Sequence, residues 1–135
     1  MVGPAKIVVR FANGKIFKGH SQDFSPLAPH FHVRKDGIAG SEGGQQVFIR
    51  DLKAVFFVRH FAGDNSYEER KTFFAGKAPS GRKIEVIFKD GEVLVGTTTG
   101  YDASRPGFFL FPADEKSNNE RIFVVTAAVK TVRFL

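Results

Sequence analysis

Hydrophobic and polar residues alternate along much of this chain, and the alternation has the period of a strand. Ile7, Val9 and Phe11 are interleaved with Lys6, Val8 and Arg10, and Ile84, Val86 and Phe88 with Lys83, Glu85 and Ile87. A period of two puts one set on a buried face and leaves the other on a wetter one. Asn13-Gly14 and Asp90-Gly91 follow, dipeptides that accept the positive φ angles of a tight hairpin. Second strands then run from residue 15 to about 21 and from 92 to about 99, with Gly19 and Gly96 at matching points. A glycine inside a strand marks a bulge or bend, which lets a short sheet curl. Third strands are predicted at 31–34 and 108–111, after loops carrying Pro29 and Pro106, fourth strands at 47–49 and 122–124, and last strands at 53–58 and 130–135.

The two sets of five strands are related. Laid over each other, residues 6–14 and 83–91 share Lys, Ile, Val, Phe and Gly at an offset of 77, and Gly19 with Gly96 and Phe31 with Phe108 keep that offset. Phe48 aligns with Phe123 after a two-residue shift, and the closing segments 52–58 and 129–135 return to 77. The chain therefore reads as a tandem duplication of one all-β unit of roughly fifty-five residues. Its expected organisation is a first unit at 1–58, a linker at 59–82 and a second unit at 83–135. The linker holds turn-rich stretches at 62–65 and 76–81; residues 67–74 between them fit one helical turn or an extra strand equally well.

The hairpin at Asn13-Gly14 or Asp90-Gly91, the bending Gly19 or Gly96 five residues later, an aromatic third strand and the closing Leu52-Lys53-Ala54-Val55 or Val129-Lys130-Thr131-Val132 resemble the Sm-like small barrel. The resemblance covers both copies and implies two five-stranded barrels of Src-homology-like build, packed with pseudo-twofold symmetry. The whole chain also resembles an uncharacterised bacterial family of about this length, which implies no activity. A unit this small buries only about 60% of the surface its unfolded chain exposes, so pairing two units enlarges the core. Phe56 and Phe57, Phe73 and Phe74, and Phe108 and Phe109 are neighbours in sequence, and strand neighbours point to opposite faces. One member of each pair is expected to pack the units together, or to form a partner surface or homodimer seam.

Composition narrows the chemistry. Sixteen Phe against two Tyr, one Met and no Trp make Phe the main core filler, and the lack of Cys excludes disulfides, thiolate catalysis and Cys-ligated zinc. No segment approaches the ~20 apolar residues of a membrane span, and the first residues are not apolar enough for a signal peptide, so a cytoplasmic location is expected. The net charge of +6 is uneven: eight basic residues face four acidic ones over 1–58, five face three over 59–82, and seven face seven over 83–135. The basic excess thus sits in the first half, a bias that suits solubility as well as an acidic partner.

The Sm-like resemblance implies RNA contacts from the loop after strand two and the turn after strand four. Here the loops offer Phe24 and Tyr101 without the family's Asn, and the turns are Arg50-Asp51 and Thr126-Ala127-Ala128. Phe24 or Tyr101 would stack a base while Arg34, Lys35 or Arg50 met phosphate. The run from Asp23 to Ala28 is similar to part of the PilZ signature for cyclic dinucleotides, Asp-x-Ser-x-x-Gly, but Ala28 replaces the glycine and no upstream Arg-x-x-x-Arg supplies a bidentate grip. His30 and His32, two apart on a strand, face one way as metal ligands would; with no third ligand demanded by the spacing, surface histidines are the plainer reading. The glycine-rich 37–44 joins two strands and lacks a Gly-Lys-Ser/Thr ending, so it reads as a mobile loop, and no nucleophile elbow or catalytic carboxylate spacing is present. The expected class is a non-catalytic binding or adaptor module without cofactor or metal. Protein interaction or homo-oligomerisation leads. The alternative is single-stranded RNA or a cyclic dinucleotide bound through the basic first unit, and the candidate ligand- or partner-binding residues are Asp23, Phe24, Arg34, Lys35, Arg50 and Tyr101.

Overall fold

Both predicted hairpins form where glycine permits them. In the computed structural model, which describes residues 5–35, 44–60, 81–114 and 117–135, Gly14 and Gly91 each sit at φ +94°. Their N–H groups donate to the Phe11 and Phe88 carbonyls at 3.0 and 2.9 Å. The side chains of Asn13 and Asp90 accept from the N–H of Lys15 and Glu92, 3.0 Å each, bracing each turn. The strands are β1 (Ala5–Phe11), β2 (Ile16–Ser21), β3 (His30–Lys35), β4 (Gln45–Phe48), β5 (Leu52–Val58), β6 (Arg82–Phe88), β7 (Val93–Thr98), β8 (Gly107–Pro112), β9 (Asn119–Val125) and β10 (Val129–Phe134). Single 3₁₀ turns, Ile49–Asp51 and Thr126–Ala128, precede β5 and β10, and they are the helical structure among the described residues. No helix there is long and apolar enough to cross a membrane. The segment 67–74, with Phe73 and Phe74, and most of the glycine-rich 37–44 lie outside the described residues.

Two closed barrels are not what these strands build. Among the described residues they form one open, ten-stranded antiparallel sheet in the order β10-β6-β7-β8-β9-β5-β1-β2-β3-β4, with β10 and β4 at its edges. The halves meet where β5 pairs with β9, Val55 opposite Phe123 and Phe56 opposite Ile122. This seam joins the last strand of the first half to the fourth strand of the second. A twofold seam would join like strands, so the expected pseudo-twofold packing gives way to a head-to-tail one. The ladders also correct one alignment. Phe48 lies opposite His30, and Val125 opposite Gly107, so the residue 77 positions after Phe48, Val125, is its counterpart, not Phe123.

Strand alternation at the seam divides the apolar residues between two cores. Val55 and Phe57 of β5 and Phe123 and Val125 of β9 join Ile7, Val9, Phe31 and Val33 in the first core. Ala54, Phe56 and Val58, with Ile122 and Val124, join Ile84, Val86, Phe88 and Leu110 in the second. The adjacent pairs Phe56–Phe57 and Phe108–Phe109 thus serve opposite cores, Phe56 and Phe108 the second, Phe57 and Phe109 the first. Every residue of β5 is buried, because it has a strand on each edge and a core on each face. Gly19 and Gly96 let strand three cross closely over strand two: a Cβ there would stand within 3.0 Å of the Arg34 or Phe111 carbonyl oxygen.

Candidate functional site

The loops after β2 and β7 are held by the same bonds. The Ile49 N–H donates to the Pro29 carbonyl at 3.0 Å, and the Thr126 N–H to the Pro106 carbonyl at 2.9 Å. The Thr126 hydroxyl also donates to the Arg105 carbonyl at 3.0 Å. Each 3₁₀ turn is thereby tied against its loop, and the β5–β9 seam sets the two loop-and-turn pairs side by side. Between them lies a cleft of about 680 Å³. Leu27, Ala28, Pro29, Phe48, Ile49 and Arg50 line it from the first half, and Ser104, Arg105, Pro106, Val125, Thr126 and Ala127 from the second. Every residue of the first set has a member of the second 77 positions later.

The cleft is mainly apolar, with cationic groups at its rim. Leu27 is 82% exposed, an apolar side chain presented to solvent. The Arg50 guanidinium lies 5.0 Å from the centre of the Phe48 ring, which His30 also contacts; a guanidinium stacked on a ring is a flat, positively charged platform. Arg105 stands 3.8 Å from Asp102 across an exposed pair, an arrangement of little strength in water. The Ser104 hydroxyl and N–H both donate to Asp102 Oδ1, at 2.7 and 2.9 Å, and these bonds hold its carboxyl below the ordinary carboxylate range.

Of the six residues singled out from sequence, Arg50 alone lines this cleft. Arg34 and Lys35 end β3, four and five residues beyond its start at His30, which is about 13 to 17 Å along a strand. Phe24 packs edge-on against Phe31, Phe57 and Phe123 with ring centroids 5.0, 5.2 and 5.2 Å away. It is half-buried and packs against the first core. Tyr101 likewise meets Phe108 at 4.8 Å and Phe134 at 5.6 Å, against the second core. Asp23 is engaged by His32, whose Nδ1 lies 2.7 Å from Oδ2 and whose N–H donates to Oδ1 at 2.9 Å. Burial alone would raise the Asp23 carboxyl, but the His32 side chain and N–H and the Ser21 hydroxyl together hold it below its ordinary range. The His30 and His32 rings meet edge to face at 5.8 Å, and among the described residues no group of three acidic or histidine side chains is placed to hold a metal.

Two features escaped the sequence. One is the cleft, whose signal was the Leu27–Pro29 and Ser104–Pro106 spacing rather than any charged motif. The other crosses the seam. Lys53, 7% exposed, reaches from β5 to the β6–β7 turn, where its Nζ binds Asp90 Oδ2 at 2.6 Å and Glu92 Oε1, and it lies 4.7 Å over the Phe88 ring. The bond from Lys53 and that from the Glu92 N–H keep the Asp90 carboxyl below its ordinary range. Arg10 stands 3.7 Å from the same Glu92 oxygen.

Residues 3–135 match a family described as a family of unknown function (DUF6982). No curated protein and no solved structure matches the chain.

Proposed function

We propose that this chain, which belongs to the family of unknown function DUF6982, is a non-catalytic, cytoplasmic binding module made of two copies of one Sm-like unit, and that its cleft holds an extended segment of a partner protein. Recurrence at 77 residues supports the two copies. It extends from sequence to the positive-φ turns, the paired glycines, the 3₁₀ turns and the loop bonds. The observation that carries the binding reading is the cleft itself, the same loop-and-turn pair set down twice with apolar walls and an arginine from each half. Such a lining suits a peptide whose apolar side chains enter between Leu27, Phe48 and the two prolines while a carboxylate meets Arg50 or Arg105. Panning a displayed peptide library on the intact protein tests this. Enriched peptides should carry an acidic residue near apolar ones and lose at least tenfold in affinity for Arg50→Glu and for Leu27→Ala. Equal affinity for both variants would remove the cleft from the reading.

Single-stranded RNA is the second reading, favoured by one observation. The loop after strand two and the turn after strand four, where the Sm-like resemblance places RNA contacts, both line the cleft, and Arg50 on Phe48 offers a stacking platform. Salt-dependent retention on an oligonucleotide column, abolished by Arg50→Glu and left intact by Arg34→Glu with Lys35→Glu, would establish it. Loss through the Arg34 and Lys35 changes alone would place the contact at the other end of β3.

A further inference from the structure

The seam between β5 and β9 joins two edges that the chain carries twice. Shifted by 77 residues, forward for β5 and back for β9 and its neighbouring turn, its parts become β10 on one side and β4 with the turn Asn13–Lys15 on the other. Strands β10 and β4 are the sheet's own edges among the described residues. Applied to a second copy, the register of β5 on β9 would set Thr131 opposite Val47, Val132 opposite Gln46 and Arg133 opposite Gln45. Phe56 against Ile122 becomes Arg133 against Gln45. The ion pair changes sign as well. Lys53 meets Asp90 and Glu92 across the internal seam, whereas its counterpart Lys130, exposed on β10, would meet Asn13 and Lys15.

Strand β10 nevertheless keeps what β5 uses. It repeats the lysine, it shares a register shift at the equivalent point of its pairing, and it ends in Phe134, 37% exposed, with Leu135, 58% exposed, directly after it. An edge strand presents a row of backbone donors and acceptors that templates another strand. We propose that β10 is a docking edge for a partner protein offering an edge strand beside an acidic hairpin, the pair of elements that this chain's second half offers to β5, and that Lys15 keeps a second copy off that edge. The proposal concerns a surface separate from the cleft, so it stands or falls independently of what the cleft binds.

The chain itself supplies the probe. In the intact protein carrying Asn13→Asp and Lys15→Glu, the first hairpin acquires the acidic residues of the second, beside the β4 edge. Sedimentation should find the wild type monomeric, and should find the double variant associating as concentration rises, with roughly tenfold weaker association in 0.5 M salt than in 0.05 M. Adding Lys130→Glu to the double variant should return it to monomer, with an unchanged far-ultraviolet spectrum showing that all three proteins are folded. A folded double variant that stays monomeric would mean that β10 is a capped end, and association that survives Lys130→Glu would show that the lysine does not read the hairpin. Wild-type association as strong as the variant's would equally overturn the exclusion of a second copy.

Discussion

Replacing Phe56 by alanine should weaken the entire molecule, although the residue belongs to the first half of the sequence. Its ring is 6% exposed and packs in the second core with Ile84, Val86, Phe88 and Ile122, while the Arg10 guanidinium lies 5.3 Å from its centre. Deleting a buried Phe costs about 3–5 kcal/mol through lost transfer energy and the cavity left behind; the cation contact adds less than about 1 kcal/mol at a half-exposed arginine. Against a total stability of about 5–15 kcal/mol, that is a large fraction. With a denaturant dependence of about 2 kcal/mol per molar, the urea midpoint should fall by about 2 M. Unfolding should remain a single transition, because β5 and β9 each serve both cores. Circular dichroism during urea unfolding reads the first quantity, and amide exchange read separately for Ile7, Val9, Ile84 and Val86 reads the second. A loss below about 1 kcal/mol, or protection kept at Ile7 and Val9 while Ile84 and Val86 open, would show that the halves fold independently and that the reasoning is wrong.

Gly96→Ala should cost about 1–3 kcal/mol or more, since its Cβ would press on the Phe111 carbonyl. Gly100→Ala, with nothing within 4 Å of its Cβ, should stay within about 0.5 kcal/mol of wild type, and thermal midpoints of the two variants compare them directly. The carboxyls of Asp23, Asp90 and Asp102 are all held below the ordinary value, near 3.9. Their contribution to stability is complete above that value and is lost as pH falls through the lower folded values. The melting temperature should therefore be insensitive to these groups above about pH 5 and drop below about pH 4, less steeply in Asp90→Asn; a rise on acidification would contradict the sign. Residues 1–59 expressed alone should be molten or insoluble, having lost Phe123 and Val125 from the first core and the cover over Phe56 and Val58. A monomeric fragment with dispersed amide resonances would show otherwise.

Local patterns carried the all-β character and the hairpins, because alternation and the Asn-Gly and Asp-Gly dipeptides act within a few residues. They did not carry the seam. Whether β5 closes on its own half or pairs with β9 depends on two strands more than sixty residues apart, and alternation is silent about neighbours. One local sign was present: Ala54-Val55-Phe56-Phe57-Val58 is apolar without interruption, as a strand covered on both faces must be. The packing of the loop aromatics was hidden for a related reason. Phe24 and Tyr101 sit in polar loops, where sequence offers them as stacking surfaces; each also rests edge-on against a core ring, Phe31 or Phe108, a contact that no local pattern announces. The charged candidates were chosen by type and not by place, so Arg34 and Lys35 were grouped with Arg50 although β3 holds them apart. The cleft residues Leu27 and Phe48 carry no motif; they become a site only when the seam brings the second loop beside the first.

Backbone proton contacts in an isotope-labelled sample test the seam most directly. Close contacts between Val55 and Phe123 and between Ala54 and Val124 are expected, with the β5 and β9 amides among the slowest to exchange and those of β4 and β10 among the fastest. If those contacts were missing and β5 instead lay against β4, each half would be closed upon itself, and the continuous sheet with a core on either face of its centre would be refuted.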